Sequence, residues 1–150
     1  MPPLKVRYLK RAGFCMNDTK AELTRSWLIK ASRDLLSARE LAEAATPLLD
    51  TAAYHCQQAA EKALKGFLLY HDVRFEKSHD LELLIGQTAN IDGRFADYVE
   101  AARLLTPLAV EYRYPGLFVE PEPEEFRDAF AAARALYDFI LGLLPPGIHP

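Results

Sequence analysis

The sequence has few of the features that mark disulfide-rich, metal-binding or cofactor-binding proteins. Its two cysteines, Cys15 and Cys56, are too few for a disulfide framework or a zinc site. It contains no HExxH motif, and the spacing of its four histidines is not typical of a shared metal site. A glycine-rich phosphate loop is missing as well. The sequence therefore predicts no metal and no cofactor.

Long apolar runs and an excess of basic charge are also missing. The longest apolar segments, such as residues 64–70, are too short to cross a bilayer, and residues 1–15 lack the apolar core of a secretory signal. We therefore expect a cytoplasmic protein with no membrane partner. The net charge of −3 and the pI near 5.8 argue against bulk electrostatic binding of duplex nucleic acid, but they leave room for a local basic pocket.

The main signal that is present is amphipathic helical periodicity. Half of the 150 residues are hydrophobic, which suits one domain with one core. Apolar stripes with helical spacing run from Leu23 to Ala45, Thr51 to Tyr70, Arg94 to Tyr112 and Phe126 to Leu144, with a short one from Leu81 to Ile85. No strand is predicted. We expect an all-α fold, an up-and-down helical bundle of four long helices plus one short helix.

Local signals predict where the helices begin. Thr19 followed by Glu22 has the spacing of a capping box, which starts the first helix at Thr19. Asp50 or Thr51 is expected to cap the second helix and Ser78 or Asp80 the short third one, and Pro123 suits the first turn of the last. Proline at position 107 is expected to kink the fourth helix.

These boundaries divide the chain into three parts. We expect residues 1–18 to be a loose N-terminal extension and residues 19–145 to form the bundle. The proline-rich end at residues 146–150, which contains His149, is expected to be a mobile tail.

The second helix, from Thr51 to Tyr70, carries the most chemical information. Its small and apolar side chains fall on one side at 3.6 residues per turn: Ala53, Cys56, Ala60, Ala63, Leu64 and Phe67. This side predicts a core seam that lets a neighbouring helix approach closely. A second side carries Tyr54, Gln58, Glu61 and Lys65, with His55 and Lys62 beside them. That polar side is either an ordinary solvated face or a binding surface.

Several motifs, in order, resemble those of the HEPN domain (higher eukaryotes and prokaryotes nucleotide-binding). They are Trp27 with Ala31 and Asp34-Leu35, the run from Ala53 to Lys65, His79-Asp80-Leu81, and Arg113-Tyr114-Pro115. The resemblance covers about Glu22 to Leu144. It implies the same up-and-down bundle that the periodicity predicts.

Many HEPN proteins resemble metal-independent ribonucleases, with an arginine followed after four to six residues by a histidine in the loop before the last helix. In this sequence the matching loop holds Arg113, but no histidine follows it at that spacing. Arg74 and His79 have the spacing, but they precede the short third helix. The sequence therefore favours a non-catalytic protein and assigns no catalytic residue. A ribonuclease that uses Arg113 or the Arg74 and His79 pair is the alternative, and a dimerising scaffold without a ligand is a third.

The resemblance implies a module that binds a nucleotide or a nucleic-acid end and acts with a small nucleotidyltransferase, in a toxin–antitoxin or defence-like pair. The candidate nucleotide-binding residues are Tyr54, Gln58, Glu61, Lys62, Lys65, His79, Arg113 and Tyr114. Lysine and arginine suit a phosphate, and tyrosine suits a base. A structural interpretation instead pairs Glu61 with Lys65 at i, i+4 and ties Arg113 to Asp34 or Glu61.

We also expect a homodimer. The alanine-rich faces of the first two helices offer more small-residue surface than one short bundle would cover, and the family that the sequence resembles is commonly dimeric.

Overall fold

The computed structural model describes residues 16–150 except 76, 113, 117 and 118, with only the backbone of residues 16 and 17. The helices are α1 (Met16–Glu43), α2 (Leu49–Tyr70), α3 (Leu81–Ala89), α4 (Val99–Leu105) and α5 (Pro123–Leu143), with 3-10 helices at Gly93–Tyr98, Thr106–Ala109 and Pro146–Ile148. The described residues contain no strand, which confirms the predicted all-α class. None of these helices is long and apolar enough to pass through a membrane.

α2 is the helix around which the other helices pack. It contacts α1 and α5 most extensively, and α3 and the Thr106–Ala109 turn also touch it. The apolar side predicted from its spacing is confirmed, since every residue of that side is buried. Its small residues allow a close approach of α1: a Cβ added at Gly66 would lie 3.0 Å from the Cβ of Trp27.

Two helix starts differ from the prediction. α1 begins at Met16, so Thr19 lies inside the helix and the capping-box interpretation is wrong. The same spacing of threonine and glutamate occurs within helices, where the backbone amide of the third residue already has a carbonyl partner. α2 begins at Leu49 without a side-chain cap, and Asp50 lies in its first turn, where a carboxylate favours the positive end of the helix dipole.

Two other helices begin where their signals are strongest. Asp80 precedes α3, and its Oδ1 accepts hydrogen bonds from the backbone N–H groups of Glu82 and Leu83, at 3.0 and 3.3 Å. α5 begins at Pro123, as predicted. The side chain of Glu125 accepts from the backbone N–H of Glu122 at 2.8 Å, which completes a capping box at this end.

The fourth predicted helix is a composite. It consists of the Gly93–Tyr98 3-10 helix, the short α4 and the Thr106–Ala109 3-10 helix, which contains the proline expected to kink it. Phe95 is the one buried residue of the first 3-10 helix. Its ring centroid lies 4.9 Å from that of Phe67 on α2 and 5.0 Å from that of Phe139 on α5. This aromatic row docks the composite segment onto the bundle.

Residues 146–150, which the sequence predicts to be a mobile tail, contain the Pro146–Ile148 3-10 helix. Ile148 is buried, and Nε2 of His149 lies 3.0 Å from the carbonyl oxygen of Leu144, to which it donates. Contacts between this 3-10 helix and α1 hold the end of the chain against the bundle.

Candidate functional site

Glu61 lies at the centre of a buried cluster on α2. Lys65 Nζ donates to its Oε1 at 2.7 Å, Gln57 Nε2 donates to its Oε2 at 2.9 Å, and His79 Nδ1 lies 2.8 Å from Oε2. Gln58 Nε2 donates to Oε1 of Gln57 at 2.7 Å and so extends the cluster. Glu61 and Lys65 are only 5% and 8% exposed. The carboxylate is therefore satisfied by the protein itself.

The pKa of Glu61 is lowered by these contacts. Burial on its own raises the pKa of a carboxyl group, but the hydrogen bonds from Lys65, His79 and Gln57 and the charge of Lys65 outweigh it. Glu61 is thus ionised at neutral pH inside the bundle. The i, i+4 pairing of Glu61 with Lys65, which was the structural interpretation of the sequence, is confirmed.

Asp34 of α1 forms a second cluster with two residues of α2. Its Oδ1 lies 2.8 Å from His55 Nδ1, and its Oδ2 accepts a hydrogen bond from Lys62 Nζ. Asp34 is buried, whereas the outer parts of the His55 and Lys62 side chains reach solvent. The carboxylate thus links α1 to α2. The predicted tie from Arg113 to this carboxylate or to Glu61 lies outside the described residues.

An open groove of about 270 Å³ lies beside this second cluster. It is lined by Leu23, Ser26, Trp27, Lys30 and Lys62. The indole of Trp27 is partly buried and meets the ring of Phe75 edge to face, with centroids 5.9 Å apart. An indole and two lysine side chains in one lining suit a ligand that combines an aromatic ring with an anion.

The structure brings some of the predicted site residues together and separates others. Gln58, Glu61, Lys65 and His79 belong to the buried cluster, while Lys62 belongs to the Asp34 cluster one turn away. Tyr54 lies beside His55, with ring centroids 5.7 Å apart. Tyr114 lies in the exposed bend at residues 114–116. Arg113 is outside the described residues.

Five residues near the site were missed or given no site role from the sequence. They are Trp27, Lys30, Asp34, His55 and Gln57. The spacing of the α1 residues could have revealed them from the sequence. Trp27, Lys30 and Asp34 occur at i, i+3 and i+7, which places them on one face of a helix. Among the described residues, no three His, Cys, Asp or Glu side chains are arranged to hold a metal ion.

Comparisons with known proteins agree with this fold. The crystal structure of TT1696 from Thermus thermophilus is similar, with a TM-score of 0.68 and 26% identity over 82% of this chain and 99% of that chain. ST0689, an archaeal HEPN homologue, has a TM-score of 0.62 and 24% identity over 80% of this chain and 96% of its own. A comparison with curated proteins finds no match. Residues 24–143 match the model of the HEPN domain, and the chain therefore belongs to the HEPN domain family.

Proposed function

We propose that the protein binds a nucleotide or the end of a nucleic acid and acts with a small nucleotidyltransferase, in a toxin–antitoxin or defence-like pair. The observation that carries the binding proposal is the groove between α1 and α2, where the indole of Trp27 borders Lys30 and Lys62. Membership of the HEPN family, without a histidine after Arg113 at the ribonuclease spacing, supports the partnership.

The groove offers separate contacts to the two ends of a nucleotide. A base stacked on an aromatic side chain gains ~1–3 kcal/mol, and Trp27 is the aromatic residue of the lining. Lys62 has three N–H donors, and its one acceptor among the described residues is Asp34. Two donors of Lys62 and the exposed ammonium of Lys30 are then available to a phosphate.

The proposed site continues along α2 towards His79. The side chain of His79 is 61% exposed, and its Nδ1 is occupied by Glu61, which leaves Nε2 for a ligand. Because Lys65 is buried against Glu61, we propose that these two residues position His79 rather than meet the phosphate. Tyr54 and Gln58 lie on the same stretch of α2. Arg113 remains a proposed phosphate-binding residue and Tyr114 a proposed base-stacking residue.

We expect the Lys30→Ala, Lys62→Ala double variant to bind adenosine monophosphate roughly ten-fold or more weakly than the wild type. The reason is that a hydrogen bond to a charged group contributes ~1.5–3 kcal/mol. Titration calorimetry measures the affinity, and thermal melting shows that the variant is folded. Arg25→Ala is the matched control, because it removes an exposed positive charge from α1 outside the groove. Unchanged affinity in the folded double variant would place the site elsewhere.

A ribonuclease is a second candidate, favoured by the contact between Glu61 and His79. A carboxylate bound to Nδ1 orients an imidazole and leaves Nε2 for proton transfer, which normally contributes ~10²–10⁴ in rate. We nevertheless expect no cleavage of single-stranded RNA with a chelator present, because no histidine follows Arg113 at the family spacing. Cleavage that disappears in both Arg74→Ala and His79→Ala would establish the ribonuclease instead.

We still predict a homodimer, although the small-residue faces of α1 and α2 are covered within one chain. The alanines that face each other in the core of α1 and α2, such as Ala31, Ala38, Ala60 and Ala63, are buried within one chain and need no second copy. Leu83, Leu104 and Val110 are exposed hydrophobic residues that a partner could cover. A dimerising scaffold without a ligand would use the same surface.

A further inference from the structure

A second cavity, separate from the groove beside Trp27, lies between α1 and α5. Its volume is about 440 Å³, which is within the usual ~300–1,000 Å³ of small-molecule sites. It is lined by Ser32, Leu35, Leu36, Arg39, Phe130, Arg134, Tyr137, Leu141, His149 and Pro150. It shares no residue with the groove or with either ionic cluster.

The charged side chains of this cavity are all basic. Arg39 comes from α1 and Arg134 from α5, and no lining side chain is acidic. Arg134 Nε donates to Asp138 at 2.9 Å in an exposed pair, which leaves the terminal N–H groups of its guanidinium available. In a chain with a net charge of −3, two arginines around one concave site form a local centre for an anion.

The other lining groups are neutral donors and apolar side chains. Tyr137 is 6% exposed, and burial raises its pKa, so its hydroxyl stays protonated; its hydrogen bond with Ser32, another lining residue, opposes that shift. His149 is oriented by its hydrogen bond to Leu144, which leaves Nδ1 for another contact. Leu36 and Phe130 add apolar surface above the buried Leu35.

We infer that this cavity binds a small organic phosphate, with the phosphate group between Arg39 and Arg134 and an apolar body against Leu36 and Phe130. One guanidinium can satisfy both oxygens of a carboxylate, so a pair of arginines from different helices is better matched to a phosphomonoester, which has three terminal oxygens and a charge near −2. The inference does not rest on the nucleotide proposal, because the two sites have no residue in common.

Phenyl phosphate is the probe that tests this inference by titration calorimetry at neutral pH. We expect it to bind at least ten-fold more tightly than inorganic phosphate or phenol, because only the ester engages both the arginines and the apolar surface. The Arg39→Ala, Arg134→Ala variant should weaken its binding by ten-fold or more. Both arginines are exposed, so the melting temperature should change little and the variant stays folded.

The matched control is the Arg33→Ala, Arg127→Ala variant, which removes one exposed arginine from each of the same two helices outside the cavity. It should keep the wild-type affinity. The Lys30→Ala, Lys62→Ala variant is measured beside it, because phenyl phosphate also has the ring and the anion that the groove beside Trp27 would bind. No binding of phenyl phosphate, unchanged affinity in the cavity variant, or an equal loss in the arginine control would each overturn the inference. A loss confined to the lysine variant would also overturn it, by moving the phosphate to the groove beside Trp27.

Discussion

Lys65→Ala is expected to lower the free energy of unfolding by roughly 3–5 kcal/mol, the usual cost of removing one partner of a buried ion pair. Lys65 and Glu61 are almost fully enclosed, and Lys65 Nζ lies 2.7 Å from the carboxylate. Without the ammonium, an ionised carboxylate would remain in the bundle with the amides of Gln57 and Gln58 and the imidazole of His79 as its partners among the described residues. Urea denaturation at neutral pH measures the loss.

Two controls distinguish the cost of leaving a buried charge unpaired from the cost of removing a charge at the surface. Arg134→Ala breaks the exposed i, i+4 pair with Asp138 and should cost less than ~1 kcal/mol. Glu61→Gln combined with Lys65→Met removes both charges at similar volume and should recover most of the loss, because no unpaired charge stays buried. If Lys65→Ala costs no more than Arg134→Ala, the buried pair does not hold the bundle together.

The pH dependence of stability gives a second measurement on the same pair. The pKa of Glu61 is lowered in the folded state, so its ionisation stabilises the fold above the unfolded value of about 4.3. This contribution disappears as the pH falls through the lowered folded pKa. Among the contacts that lower this pKa against the effect of burial, the hydrogen bond from Lys65 has the largest effect. Lys65→Ala should therefore flatten the acid side of the stability profile.

Phe95→Ala is expected to cost about 3–5 kcal/mol, the typical effect of deleting a buried aromatic ring. Phe95 is 0% exposed, and its ring lies between those of Phe67 and Phe139. Two aromatic contacts add ~0.5–1.5 kcal/mol each to the area that the ring buries. Because Phe95 is the buried residue of its 3-10 helix, its loss should also loosen the composite segment from α2 and α5.

The control for this variant is Leu104→Ala, at a half-exposed position of the same composite segment. It should change the free energy of unfolding by less than ~0.5–1 kcal/mol. Phe95→Leu keeps most of the volume and should lose less than Phe95→Ala. Similar denaturation curves for Phe95→Ala and Leu104→Ala would show that the ring does not anchor the segment.

The parts of the fold that could be predicted from the sequence are those governed by neighbouring residues. Asp80 caps α3 and Pro123 opens α5 through contacts within one helical turn, so their sequence signals are reliable. Thr19 and Glu22 show the limit of such signals, because the same pair fits inside a helix that starts earlier. The 3-10 geometry around Phe95 depends on docking against distant helices, which local spacing does not encode.

The same distinction holds for the candidate site. Glu61 and Lys65 lie on one helix, so their i, i+4 spacing was enough to suggest their contact from the sequence. His79 reaches Glu61 from a loop, and Asp34 reaches Lys62 from α1, so both contacts need the packing of separate elements. Trp27 falls in the apolar stripe predicted from Leu23 to Ala45, and its spacing there is that of a core residue. Its place at the rim of a groove depends on how α1 is rotated against α2.

The enclosed position of α2 determines how its backbone amides exchange hydrogen with solvent. A helix covered by α1, α3 and α5 exposes its amides only when the neighbouring helices separate, so exchange there follows global unfolding, whereas short segments such as α4 can open locally. A ligand in the groove beside Trp27 or in the cavity beside Arg39 would stabilise the folded state. Deuterium uptake by α2 would then slow in either case, even where the ligand touches no residue of that helix.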